Sequence, residues 1–99
     1  MDPQDKWRQS MSSIPALRDI DFESDIGKTI RQLQTLAQRR SAAPMERQSA
    51  MLALDIWTGG DASSVAPGGP TINLLDIAAT GDMELCRVVA DFVITPYWP

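Results

Sequence analysis

Carboxylates are the side chains through which this sequence could do acid–base chemistry, because it contains no histidine and a single cysteine, Cys86. The acids that stand in or beside apolar runs are Asp55, Asp76, Asp82, Glu84 and Asp91. Burial in such runs could raise a carboxyl pKa, as catalytic acids require. On helices, however, these acids fall on narrow polar strips that solvent reaches. We therefore predict that the protein is not an enzyme. The enzyme hypothesis that remains is a small enzyme that uses only carboxylates and depends on Asp76 or Asp91.

The composition also restricts cofactors, partners and compartment. Without histidine, and with one cysteine, the usual transition-metal ligands are missing, so no metal or cofactor is expected. The net charge of −4 disfavours nucleic acid and anionic membranes as partners. No apolar run approaches the roughly 18 residues of a membrane span, and no signal peptide is visible. A lone cysteine favours a reducing compartment, so we predict a cytoplasmic protein.

One segment, residues 23–41, has the pattern of an ordinary amphipathic helix with a single apolar stripe. Its opposite face is basic and rich in glutamine, and the residues on it that could contact nucleic acid are Lys28, Arg31, Gln38 and Arg39. Arginine and glutamine are side chains that recognise base edges in the major groove. A tight break at residues 41–44 leads into a second helix, so a DNA-binding helix-turn-helix is the alternative hypothesis.

The second helix is expected from Pro44 to about Trp57, with Gly59 and Gly60 as its stop signal. Its apolar residues span an arc of roughly 200°, about twice what one neighbouring helix covers. Met51, Leu54 and Trp57 lie on the opposite side from Leu52 and Ile56. Either the helix expected from residue 71 covers them, or they form a surface for a second chain.

The end of the chain predicts two further short helices, over residues 71–79 and from an Asp82 cap to about Phe92. The last helix is apolar over roughly 240°. Its β-branched residues make a strand over residues 88–95 the competing prediction. Tyr97 and Trp98 follow in a tail that cannot be helical, and we group them with Phe92 as candidate partner-binding residues.

Together these elements predict one all-α domain over residues 1–99, with three to four short helices and a possible short C-terminal strand. Residues 1–21, interrupted by Pro15, are expected to be weakly ordered, with a short helix or turn at most. Residues 58–70 are expected to form a flexible Gly/Pro loop.

The surplus of apolar surface leads to the functional prediction. Large aromatic and methionine side chains are enriched in interface cores, and exposed patches of this size are uncommon on monomers. We predict a small non-enzymatic regulatory protein that binds protein, as a homodimer or with a partner. An inhibitor or antiactivator of a transcription factor would fit, through the six candidate residues Met51, Leu54, Trp57, Phe92, Tyr97 and Trp98.

Overall fold

The computed structural model describes residues 2–70, 74–79 and 82–97, with only the backbone of residues 74 and 76. These residues form six α-helices and one 3₁₀ turn: α1 (Pro3–Ser12), the 3₁₀ turn (Pro15–Leu17), α2 (Ile26–Gln38), α3 (Pro44–Thr58), α4 (Ala62–Val65), α5 (Leu74–Ala79) and α6 (Met83–Ile94). The Cα radius of gyration, 12.1 Å, is close to the roughly 13 Å of a 100-residue globule. The all-α prediction is confirmed for the described residues.

Two details of the fold prediction are wrong. The described part of the chain has six helices rather than three to four, because α1 and α4 form in segments whose patterns are short or interrupted. The possible C-terminal strand is absent, because residues 88–94 continue α6. Asp82 caps that helix as predicted, and its carboxylate accepts a hydrogen bond from the Leu85 N–H at 3.0 Å. A capped helix with one buried face outweighs the strand preference of its β-branched residues.

The central element is α3, which α2 flanks on one side, with α1, the 3₁₀ turn and α4 covering the others. The helix begins at Pro44, where a missing N–H costs nothing, and Glu46 accepts a hydrogen bond from the Ala43 N–H at 3.2 Å. It ends at Gly59, whose φ of 72° is left-handed. The predicted stop signal is thereby confirmed. Seven of the helix residues are buried, which makes α3 the core of the molecule.

The N-terminal segment packs against this core. Asp2 caps α1 by accepting a hydrogen bond from the Gln4 N–H at 2.7 Å. The side chains of Trp7, Met11, Ile14 and Leu17 are almost completely buried. Pro15 starts the 3₁₀ turn rather than ending the apolar pattern, because a proline fits the first position of a helical turn. The weak order of residues 1–21 stays a prediction, but these contacts make the segment part of the core.

Helix α2 is shorter than its sequence pattern. It starts at Ile26 rather than near residue 23, because Asp21 organises a turn before it. The Asp21 carboxylate accepts hydrogen bonds from the Glu23 N–H at 3.0 Å and the Ser24 hydroxyl at 2.5 Å. These bonds, together with the charge of Lys28, lower the pKa of Asp21. Local side-chain bonds of this kind compete with helix formation.

The Gly/Pro segment after α3 packs against α3 and is hydrogen-bonded to α2. It contains α4, one helical turn, and buries Ala62 and Ala66. Gln34 donates a side-chain hydrogen bond to the Val65 carbonyl at 2.7 Å, and Gln38 donates one to the Pro67 carbonyl at 2.9 Å. The flexibility of residues 58–70 stays a prediction, although these bonds attach the segment to α2.

Replacing Ser49 by alanine is expected to stabilise the protein. The Ser49 side chain is fully buried in α3, and its hydroxyl has no hydrogen-bond partner. Removing a buried, unsatisfied hydroxyl recovers about 1 kcal/mol of unfolding free energy. Urea denaturation would measure the change, with the exposed Ser63→Ala as the control that leaves stability nearly unchanged. A loss of stability in Ser49→Ala would show that the hydroxyl is bonded in solution.

Candidate protein-binding surface

The wide apolar arc of α3 is covered from within the chain. Met51 and Leu54 are 4% and 0% exposed, and Trp57 is half-buried with its ring centroid 5.1 Å from that of Trp7. The backbone of Gly69 passes so close to Met51 that an added Cβ would lie 2.7 Å from its sulfur. Partner binding by Met51, Leu54 and Trp57 stays a prediction, but in this structure Met51 and Leu54 belong to the core. The contacts described here come from Trp7 and Gly69, not from the helix after residue 71 that the alternative named.

The C-terminal tail packs against α1. The ring of Tyr97 lies 5.1 Å from the Lys6 ammonium and meets the ring of Phe92 edge to face at 5.2 Å. Tyr97 is 8% exposed, and burial raises the pKa of its phenol. Trp98 lies outside the described residues. Phe92 is half-buried, so the two described candidates of this group mainly join α6 to α1.

Helix α6, in contrast, has two apolar faces, and only one of them meets the core. Leu85 and Val88 are buried against the rest of the chain. Met83 and Ile94, separated by about three helical turns, lie on the opposite side and are 82% and 78% exposed. Val93, 65% exposed, lies beside Ile94. The neighbouring helices therefore cover about half of the apolar circumference of α6.

We call the side of α6 formed by Met83, Cys86, Ala90, Val93 and Ile94 the outer face. All but Cys86 are exposed; Cys86 is half-buried, with its thiol 3.8 Å from the Ile77 carbonyl of α5. The first four residues of the outer face follow three-, four- and three-residue intervals, the spacing of a helix–helix seam. Met83, Cys86 and Ala90 also line an open cavity of about 580 Å³, to which Ala78 of α5 contributes. Two of these lining residues are alanines, so a side chain of a facing helix could enter between the larger residues.

An acidic edge runs along one side of the outer face. Arg87 forms ion pairs with Glu84 at 2.6 Å and with Asp91 at 3.6 Å, the arrangement that helical spacing predicts. The hydrogen bond and charge of Glu84, with a smaller contribution from Asp91, raise the pKa of Arg87. All three side chains are about half exposed, so the pairs stabilise the fold little. Their main effect is to leave one net negative charge beside the outer face.

Phe92 is the one residue of α6 that the sequence pattern predicts to bind a partner, and the pattern does not predict the outer face. The broad apolar arc of residues 82–94 was visible, but periodicity does not show which part of an arc meets the core. The spacing of Met83, Cys86, Ala90 and Val93 was the signal that could have separated a second face.

The basic residues of the alternative hypothesis are only partly brought together. Lys28, Arg31 and Arg39 line one surface groove, whereas Gln38 is engaged with the Pro67 carbonyl. A helix-turn-helix protein inserts its second helix into the major groove. The corresponding helix here is α3, which lies in the core and has no free face for DNA. The packing therefore argues against this mode of DNA binding.

The acids considered for catalysis have local structural partners. Asp55 accepts a hydrogen bond from the Ala62 N–H at 3.2 Å, and Asp91 pairs with Arg87. The side chain of Asp76 lies outside the described residues. In the described part of the chain, no three side chains of the metal-binding types converge on one point. The helices of residues 2–70, 74–79 and 82–97 include none with the length and apolar character needed to cross a bilayer.

Comparison with protein-family models, curated proteins and solved structures finds no match to this chain.

Proposed function

We propose that this chain is a small non-enzymatic regulatory protein that acts by binding another protein through the outer face of α6. The observation that carries the proposal is the location of the exposed apolar residues. Every large apolar side chain found strongly exposed in the described residues lies on α5 or α6: Leu75, Met83, Val93 and Ile94. Soluble proteins usually bury such clusters or use them for binding.

The shape and charge of the outer face indicate the kind of partner. A narrow stripe with three- and four-residue spacing fits a single amphipathic helix of the partner. The acidic edge formed by Glu84 and Asp91 favours a partner helix with a basic flank. Transcription factors need basic surfaces to bind DNA, so an acidic protein of net charge −4 could mask one. An inhibitor or antiactivator of a transcription factor is thus our preferred class, and a second copy of this chain is the other occupant to test.

Placing a charge in the middle of the outer face is expected to abolish binding. Ala90 is exposed, so Ala90→Arg should fold normally, since arginine is a good helix former. In a complex, its charge would be buried against apolar groups, which costs several kcal/mol or on the order of a 100-fold loss of affinity. Immobilised wild-type protein and Ala90→Arg would be compared as baits in a lysate of the source cells, and captured proteins quantified by mass spectrometry.

The matched control is Ser63→Arg, which places the same charge on exposed α4. We expect at least one protein of the lysate to be captured by wild type and by Ser63→Arg but not by Ala90→Arg. Sedimentation equilibrium of the same three proteins tests whether the partner is a second copy of this chain. In that case wild type and Ser63→Arg are dimers, and Ala90→Arg is a monomer. A monomeric wild type whose captured proteins are all retained by Ala90→Arg would refute the proposal.

A further inference from the structure

A second surface feature lies far along the chain from α6, on the exposed side of α2. Lys28, Arg31 and Arg39 line a groove of about 380 Å³, which we call the basic groove. This volume falls within the roughly 300–1,000 Å³ of small-molecule sites. The remaining lining residues are Ala16, Asp19, Ile20, Gln32, Thr35, Leu36 and Glu46. The groove thus combines cationic, acidic, amide and hydroxyl groups with apolar lining residues Ala16, Ile20 and Leu36.

The cations of the basic groove have no ion-pair partner among the described residues, although acids outnumber bases in the chain by thirteen to nine. Other basic side chains are engaged within the fold. Arg8 donates to the carbonyls of Phe22 and Ser24, and Arg47 donates to that of Ala37. Three of the bases without an ion pair therefore lie together along one groove, in a chain whose net charge is negative.

Three acids lie in or beside the basic groove, and two of them are hydrogen-bonded to neighbouring groups of the chain. Glu46 lines the groove but accepts a hydrogen bond from the Ala43 N–H at the start of α3. Asp21 lies close enough to Lys28 for their charges to interact, and its carboxylate is bonded to Ser24 and to the Glu23 N–H. Asp19 is the remaining lining carboxylate. The lining residues alone, three bases and two acids, carry one net positive charge, which Asp21 beside Lys28 offsets.

We infer that the basic groove binds a small organic anion with an apolar body, such as a medium-chain carboxylate. Lys28 and Arg31 lie one helical turn apart and can hold the carboxylate head together. The alkyl chain then contacts Ile20 and Leu36, which are among the apolar residues that line the groove. The acids Asp19 and Glu46 disfavour a polyanion such as a nucleic-acid backbone, which would pass close to both. This inference is independent of partner binding at the outer face.

Octanoate is the probe for this site, with binding followed through the amide signals of isotopically labelled full-length protein by NMR. We expect saturable shifts in residues 16–20 and 28–39, and about tenfold or more weaker binding of acetate, which lacks the chain, and of octanol, which lacks the charge. Arg31→Gln should weaken octanoate binding by roughly tenfold. The control Arg40→Gln removes an exposed charge that does not line the groove and should bind octanoate like wild type.

Three results would overturn the inference. Octanol binding as tightly as octanoate would show that the charge is not recognised. Shifts confined to α6 would show that the ligand binds the outer face alone. Unchanged binding by Arg31→Gln, in a variant whose circular dichroism and melting temperature match wild type, would show that the basic groove does not hold the carboxylate.

Discussion

Trp7→Ala is expected to reduce the free energy of unfolding by about 3–5 kcal/mol, the largest effect of any single substitution considered for this protein. Trp7 is fully buried, and its indole N–H donates to the Ala53 carbonyl of α3 at 2.9 Å. Its ring packs against those of Phe22 and Trp57, with centroid distances of 5.6 Å and 5.1 Å. A domain of this size is typically stable by only about 5–15 kcal/mol, so much of its stability depends on this residue.

Chemical denaturation followed by circular dichroism would measure the effect of Trp7→Ala. Trp7→Phe separates the contribution of ring packing from that of the indole hydrogen bond, because it keeps an aromatic ring but removes the indole donor to the Ala53 carbonyl. It should reduce the free energy of unfolding less than Trp7→Ala does. Gln9→Ala is the matched control, since Gln9 is exposed on the same helix and its loss should change stability by less than about 0.5 kcal/mol. A Trp7→Ala protein as stable as Gln9→Ala would mean that α1 does not belong to the core.

Leu85→Ala is expected to reduce stability strongly and Met83→Ala hardly at all, although the two residues stand two positions apart on α6. Leu85 is fully buried, so its truncation should cost about 2–5 kcal/mol. Met83 is 82% exposed, so its truncation should change stability by no more than about 0.5 kcal/mol. The difference follows from the two apolar faces of α6, of which only that containing Leu85 and Val88 is buried.

The two α6 variants are best compared by urea denaturation at the same protein concentration, with Met83→Ala serving as the control for Leu85→Ala. At micromolar concentrations, a homodimer formed through the outer face would also make the unfolding midpoint of wild type depend on concentration. Met83→Ala should reduce that dependence, whereas a monomer shows none. Similar large losses for both variants in a monomeric protein would contradict the arrangement of α6 described above.

Local sequence specifies the main helices of this protein well, although some of their predicted boundaries are wrong. Pro44 and Gly59 mark the ends of α3, and Asp82 marks the start of α6, because start and stop signals act within one turn of the helix. The pattern before α2 is misleading because the Asp21 carboxylate binds nearby N–H and hydroxyl groups and holds the chain in a turn. The same limitation applies to residues 1–21, where the turn at Pro15 lets an interrupted apolar pattern reach the core.

By itself, the sequence determined where the main helices lie and that α3 and α6 are apolar around most of their circumference. Only the tertiary structure decided which of those surfaces is covered. Trp7 reaches α3 from 46 residues away in the chain and closes its second side, whereas the outer face of α6 receives no such cover from the described residues. The physical reason is that helical periodicity fixes the direction of a side chain around its own axis. The packing of all the helices together decides which distant segment covers that side chain. In this protein the packing buries Leu54 in the core and leaves Met83 exposed on the candidate binding surface.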